Sequence, residues 1–342
     1  MPGLSLVPCL LRYWSYTGWY DTGTALFDAS KILTFLNLAL ERGEGVCLVT
    51  ITDVTGASVR NPGAHMAVTA SGETCGSLSG GCIEKAVVAE AKKAIQAGVP
   101  HRIAYGAGTP IIDIRLPCGG RVDLLFTPFG NGNVIARLLA TLADRSPAVL
   151  ELPHTARDAG LLAIGNTCWD GDRFLVRHHP PLRLVIAGHG GTVEALVRQA
   201  GSLEIGCLVA TPDADIVCSL EGSATPVRKL ERIGDGIGYA LDPWTAVAFF
   251  CHDHDWETAL LAEVLESPAF YVGAMGSRTT HQQRKKLLEA VGVGQDAIAR
   301  IVAPIGLIPS SRDPETLALS ALAQIVDSYN AVIGAQFNPA RH

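Results

Sequence analysis

The stretch LRLVIAGHGGTVEALVRQA, residues 182–200, decides the fold of the C-terminal half. Leu184 to Ala187 are four consecutive apolar residues, the signature of a strand covered on both faces. Gly188-His189-Gly190-Gly191 then turns the chain, Val193 to Ala200 repeats with helical spacing, and Cys207 to Ala210 begins a second strand. Strand, glycine turn, helix and strand together make a βαβ unit, which requires parallel strands. The apolar runs Val247–Cys251 and Phe270–Gly273, each followed by a helical pattern, extend the alternation. The expectation for residues 182–342 is therefore a Rossmann-like doubly wound parallel sheet. Asp313-Pro314-Glu315 supplies a cap and a first-turn proline for a terminal helix reaching to about Val332.

Upstream the texture differs. A helical pattern over Leu26–Glu41, strands at Val46–Thr52 and His65–Thr69, and a helix from Ile83 to Ala97 stopped by Gly98 are followed by strands at 101–105, 111–116 and 121–127 and a helix at 133–143. Residues 26–145 thus read as an α+β domain, and the whole chain as α/β in class. Residues 146–181 form a strand-rich connector closed by Pro180-Pro181 as a stiff hinge. Residues 1–25 are an aromatic, aperiodic extension.

The 342 residues carry 48% hydrophobic and 18% charged side chains with a formal net charge of -6, and no basic run tracks a phosphate backbone. No nucleic acid is expected as a partner. Nine cysteines, an odd number without a CxxC pair, point to a reducing, cytoplasmic setting rather than a disulfide framework. The first stretch has no basic segment ahead of its leucines, so neither a signal peptide nor a membrane span is read there.

Chemistry concentrates in a few turns. In GSLSGGC, residues 76–82, the backbone amides around Gly76, Gly80 and Gly81 and the hydroxyls of Ser77 and Ser79 can converge on an anion at a helix start, with Cys82 as a thiol favoured by the helix dipole. A plain glycine turn with a packed cysteine is the competing reading. Cys118-Gly119-Gly120 is a second glycine-flanked thiol that can meet Cys82 in space. Gly188 and Gly190 occupy the first two glycine positions of a dinucleotide fingerprint, but Val193 replaces the third, and Thr211 stands where an acid would hold a ribose hydroxyl. A turn used only for strand–helix packing fits equally. His252 and His254 are candidate metal ligands, with Asp255 read as the cap of a helix over 256–266. Gly276-Ser277-Arg278 resembles an anion-binding turn in which Ser277 caps a helix, and Arg284, Lys285 and Lys286 beyond it read as a solvated basic face. His178-His179 also reads as solvated.

Taken in order, GSLSGGCIE, PCGGRVDLLF, HDHDWE, YVGAMGSR and PIGLIPSSRDPE resemble the signature stretches of the XdhC/CoxI family across roughly residues 26–333. These are accessory proteins for xanthine dehydrogenase, carbon monoxide dehydrogenase and related molybdenum hydroxylases. The resemblance implies an N-terminal family domain joined to a Rossmann-like domain. It also implies a non-catalytic chaperone that binds molybdenum cofactor (molybdopterin), protects it, supports its sulfuration by a cysteine desulfurase and delivers it to a xanthine dehydrogenase-type apoenzyme. A homodimer is implied as well. Gly80, Gly81, Cys82, Cys118, Gly119 and Gly120 stand on family glycine and cysteine positions. Departures fall at Gly191, where the family usually has histidine, at Thr211 and Asp213, where an acid and an arginine are common, and at Ser310, where the family has glycine. The alternatives are an NAD(P)-dependent oxidoreductase, with a nucleotide in the Rossmann half, and a thiol enzyme carrying persulfide on Cys82 or Cys118.

Overall fold

A computed structural model describes residues 28–56, 60–109, 119–155, 158–251 and 253–334, and all counts of elements refer to these. The expected strand at 111–116, the extension over 1–25, and the candidates Cys118 and His252 lie outside the described residues.

The first unit runs α1 (Asp28–Glu41), β1 (Val46–Thr55), β2 (His65–Thr69), β3 (Thr74–Cys75), α2 (Glu84–Ala97), β4 (His101–Gly106), β5 (Arg121–Phe129) and α3 (Asn133–Ala143). Its strands form an antiparallel sheet in the order β3-β2-β1-β5-β4. Alternation along β1 divides the core. Cys47, Val49 and Ile51 pack under α2 with Val87, Ala91 and Ala94, whereas Val46 and Leu48 face α1 and α3. Gly98 ends α2 in the left-handed conformation, φ +66°, as its position in the sequence predicts.

The stretch read as a connector contains β6 (Ala148–Pro153), β7 (Gly160–Leu162), β8 (Cys168–Asp170) and β9 (Arg173–His178), an antiparallel sheet in the order β7-β6-β9-β8. Ala148, Leu150, Leu152, Phe174 and Val176 share one hydrophobic cluster with α1, α3 and the first sheet. The segment is therefore a layer of the N-terminal core rather than a spacer. Pro180-Pro181 is fastened on both sides: Tyr329 Oη donates to the Pro180 carbonyl at 2.7 Å and Arg145 Nη1 to that of Pro181 at 2.6 Å.

The C-terminal unit comprises β10 (Arg183–Gly188), α4 (Gly191–Ser202), β11 (Gly206–Thr211), α5 (Ala214–Ser219), β12 (Val227–Lys229), β13 (Thr245–Phe250), α6 (His254–Leu265), β14 (Tyr271–Ala274), α7 (Arg278–Ala290), α8 (Gln295–Ala299), β15 (Ile301–Val302) and α9 (Pro314–Gly334). All six strands are parallel, in the order β12-β11-β10-β13-β14-β15. Counted from β10, that is the 3-2-1-4-5-6 order of a Rossmann sheet. Leu184 and Ile186 face α4 and α9, while Val185 and Ala187 face α6 and its neighbours. Helix α9 is long and apolar enough to cross a membrane; it lays Ala318, Ala321, Leu322, Ile325 and Tyr329 into the core. Ser310, at a family glycine position, holds φ +59°, so the backbone keeps a glycine-like conformation under a serine side chain.

His178 does not reach solvent. Its Nε2 lies 3.4 Å from Nε2 of His65, the rings stack at 5.2 Å, and both residues are buried between the first and second sheets. Thr50 Oγ1 meets His65 Nδ1 at 2.9 Å. Both rings can be neutral if the Thr50 hydroxyl donates to His65 Nδ1 and His65 Nε2–H donates to His178. Burial, and then the neighbouring ring, hold His65 well below the usual histidine range; burial and His179 bring His178 to about 4. Depressed histidine values give stability that is present above pH 6.5 and lost as the pH falls toward 4. Urea unfolding at intervals between about pH 7 and pH 5 should show this slope, and His178→Gln should flatten it.

Candidate functional site

The turn after β3 is built around an internal anion. Gly76, at φ +92°, must be glycine, because a Cβ there would lie 2.9 Å from the His65 carbonyl oxygen. Leu78 and Ile83, 2% and 1% exposed, anchor the loop in the α2-side core. Between these anchors the carboxylate of Glu84, the first residue of α2, collects the donors. Ser77 Oγ donates at 2.9 Å, Ser79 N at 2.9 Å, Ser79 Oγ at 2.6 Å, Ile83 N at 3.1 Å and Leu78 N at 3.3 Å. The amide of Gly81 adds to the set, and that of Gly80 donates to Ser77 Oγ at 3.1 Å. Burial pushes the Glu84 carboxyl upward, but the Ser79 hydroxyl and amide, the Ser77 hydroxyl and the Gly81 amide outweigh it and hold the group at about 2. The expected phosphate cradle is thus corrected: its hydroxyls and amides serve Glu84, and the anion at the head of α2 belongs to the chain itself.

The outer surface of the same turn is open. Gly80 and Gly81 adopt φ +72° and +110°, and a Cβ at either would meet nothing within 4 Å. Cys82 follows as an exposed free thiol, one residue before the N-cap Ile83. Because β4 returns directly from α2, the start of α2 lies at the sheet end where β1 finishes and β5 begins. Gly119 at that end is open at φ +67°, and a Cβ on Gly56 would come within 3.3 Å of Gly120 Cα. Cys82 therefore sits at a sheet end lined by glycine backbone. Cys75 is half-buried against the α1 side.

In the Rossmann unit Gly188 lies at the switch point, packed so closely on β13 that a Cβ would overlap the Phe250 carbonyl. Gly190, at φ +80°, is open and begins α4 without a side-chain cap. Thr211 is fully buried at the end of β11, and its Oγ1 accepts from Asp213 N at 3.0 Å, while Asp213 caps α5. The strand thus ends on a hydroxyl rather than an acid, and the carboxylate two residues on, Asp213, is occupied as the cap of α5. Ser277 caps α7 by accepting from Thr280 N at 3.1 Å, as expected, and Arg278 is exposed beside Gly276.

Two expectations at the carboxyl edge of this sheet need correction. Asp253, not Asp255, caps α6, accepting from Asp255 N at 2.8 Å, so the helix starts two residues earlier than read. Arg284 is not on a solvated face. At 1% exposed it donates through Nη2 to Glu257 Oε1 at 2.7 Å and to the Met275 carbonyl at 2.6 Å. Its place on the buried stripe of α7 with Leu288, four residues on, was the available signal. His254 Nδ1 lies 3.7 Å from Glu257 Oε2; among the described residues no group of three His, Cys, Asp or Glu side chains is gathered as a metal would need. Cys251 is buried beside this pair, and burial lifts its thiol to about 12, which favours the protonated form at neutral pH.

Glu84 sets a testable stability term. Because its carboxyl is held below the ordinary value of 4.5, the contribution is present above that pH and lost as the pH falls toward about 2. Glu84→Ala should cost about 1–2 kcal/mol at neutral pH in chemical denaturation, the partly exposed site keeping the figure modest. The difference from the parent should shrink on acidification below 4.5.

Comparisons place these features. Residues 39–106 match the XdhC and CoxI family, and residues 184–325 match the XdhC Rossmann domain. The chain is 33% identical over 299 residues to the molybdenum cofactor insertion chaperone PaoD of Escherichia coli K12, covering 87% of this chain and 88% of that protein. It is 22% identical to a probable xanthine dehydrogenase subunit of Bacillus subtilis 168, covering 87% of this chain and 98% of that protein. A crystal structure of a protein described as a xanthine dehydrogenase from Bacillus halodurans shares the fold, with a TM-score of 0.72 at 20% identity over 90% of this chain and 98% of that one. With a glycine–serine turn and Cys82 on an antiparallel N-terminal sheet, a Rossmann sheet behind it, and this identity to PaoD along most of its length, the chain belongs to the XdhC/CoxI family.

Proposed function

We propose that this protein is a cytoplasmic, non-catalytic accessory factor that receives molybdenum cofactor at the glycine-lined end of its N-terminal sheet. There it protects the cofactor, supports its sulfuration by a cysteine desulfurase and passes it to a xanthine dehydrogenase-type molybdenum hydroxylase. The observation that carries the reading is the 33% identity over 87% of the chain to a molybdenum cofactor insertion chaperone.

The chemistry of the turn accords with one end of such a cargo. A dithiolene-bound metal is a soft centre, and Cys82 offers an exposed sulfur beside glycines whose missing side chains leave the approach clear. The phosphate of the cargo does not fit the amides of the turn, since Glu84 holds them and its charge repels a second anion. Cys82 is thus assigned to the metal end. The seven described cysteines are all free thiols, in keeping with a reducing compartment.

An oxidoreductase reading has less to stand on. Thr211 leaves no acid for a nicotinamide ribose, and the open turn at Gly188–Gly190 alone does not select a dinucleotide.

Purification from a host that makes the cofactor, followed by molybdenum and pterin analysis, tests the proposal. The parent should retain both, and Cys82→Ser should retain about tenfold less metal. Cys168→Ser and Cys218→Ser, which alter exposed thiols elsewhere, should match the parent. A parent protein free of pterin would refute the proposal; equal metal in Cys82→Ser would remove Cys82 from it.

A further inference from the structure

A second site lies at the opposite end of the N-terminal sheet. Strand β5 begins at the glycine-lined end with Arg121 and finishes at Phe129, the last of its nine residues, so the two ends stand roughly 25 Å apart. Around the finish is a cavity of about 430 Å3, within the range of small-molecule pockets. Its walls come from the end of β5, the first turn and a half of α3, the turn after α2 at Gly98 and Pro100, and the segment leading into β7 of the second sheet. The assigned function uses none of them.

Three donors line the cavity. The first is the start of α3, an eleven-residue helix whose N-cap is Gly132, without a side-chain cap of its own; Asn133 N donates to Asn131 Oδ1 at 3.3 Å, which leaves the amides of Val134 and Ile135 for a ligand. Its amide dipoles favour an anion. The second is Thr127, which is 2% exposed and whose Oγ1 has no hydrogen-bond partner. Alternation along β5 places its side chain on the face of Leu125 and Phe129, the face that α3 covers. A buried hydroxyl without a partner is costly, and native proteins rarely leave one unless something from outside completes it. The third is Arg137, one turn into α3 from Asn133 and on the same side of the helix; no described carboxylate pairs with it. The side chains of Asn131 and Asn133 add amide donors, Asn131 Oδ1 being taken by Asn133 N, and Asp158 contributes an acceptor from the segment before β7.

We propose that this cavity binds a small phosphate monoester. The phosphate sits at the head of α3 with the Thr127 hydroxyl and the Arg137 guanidinium. A tetrahedral anion suits donors arriving from separate elements, and a guanidinium binds phosphate through a two-pronged contact. The volume leaves room for an organic body behind the phosphate, and Asp158 selects bodies that bear N–H or O–H donors. Guanine, whose neighbouring N–H groups match a carboxylate, is a suitable probe. The inference is independent of the cargo assigned to Cys82, because it concerns other residues at the far end of the sheet.

The test is calorimetric titration of the full chain with inorganic phosphate, guanosine 5′-monophosphate and guanosine. Saturable binding of the monophosphate is expected, with phosphate weaker and guanosine weakest. Arg137→Gln should weaken the monophosphate by about tenfold or more. Thr127→Val should weaken it as well while leaving the melting temperature unchanged or higher, since valine removes an unpartnered hydroxyl without changing the shape of the side chain. Asp158→Asn should affect the monophosphate but not inorganic phosphate. Arg232→Gln, at an exposed arginine of the Rossmann half, should bind as the parent. Absence of saturation by about 10 mM monophosphate would overturn the proposal. So would parental affinity in both Arg137→Gln and Thr127→Val, guanosine binding as tightly as its monophosphate, or loss of binding in Arg232→Gln.

Discussion

One carboxylate organises the N-terminal site. Glu84 opens α2 and turns back on the loop before it, so that the hydroxyls of Ser77 and Ser79 and the amides of Leu78, Ser79, Gly81 and Ile83 point at its oxygens. Without it the start of α2 would present several unsatisfied donors, and three glycines with φ of +92°, +72° and +110° would have little to hold them in place. With it the loop is held by two buried apolar anchors and an internal anion, and its outer surface is bare backbone ending at a thiol. Such a rigid, side-chain-poor surface lets a bulky partner approach closely without first ordering a flexible loop.

The two halves of the molecule use glycine differently. At Gly188 the absence of a side chain lets β10 and its turn lie against the Phe250 carbonyl, a packing demand of the Rossmann sheet. At Gly80 and Gly81 no neighbour demands it; backbone conformation does, and the space beside them stays free. Gly190 is open as well, yet the end of the neighbouring strand carries Thr211, whose hydroxyl is already engaged by Asp213 N. The Rossmann half therefore preserves the architecture of a nucleotide site without the group that selects a nucleotide. The halves are fastened by Arg145, whose guanidinium reaches Asp242 of the Rossmann unit at 2.7 Å, and by the Tyr329–Pro180 hydrogen bond.

The parallel half was legible because its strands are unbroken apolar runs between glycine turns, and a parallel sheet buried on both faces tolerates little else. Helices α2, α3 and α9 were legible from periodicity and from Gly98 and Pro314 at their ends. The role of residues 148–178 was not, because short strands with mixed polarity give the same pattern whether they span solvent or cover a core; only Ala148, Leu150 and Phe174 meeting α1 and α3 decides it. At the site the glycines, serines and Cys82 stood out, but the partner of the serines did not. Glu84 follows the motif as an ordinary first-turn acid, and nothing in a linear pattern distinguishes an anion that waits for a ligand's place from one that fills it. Arg284 was hidden for a similar reason: beside Lys285 and Lys286 it reads as a surface charge, and its pairing with Glu257 depends on two helices meeting in space.

The central claim, that the turn is locked by its own carboxylate before any cargo arrives, is tested most directly by amide hydrogen exchange in the cargo-free protein. The amides of Leu78, Ser79, Gly81 and Ile83 should exchange slowly there and keep the same protection when molybdenum cofactor is bound. Fast exchange at these four amides in the free protein, with protection appearing only on loading, would contradict the account.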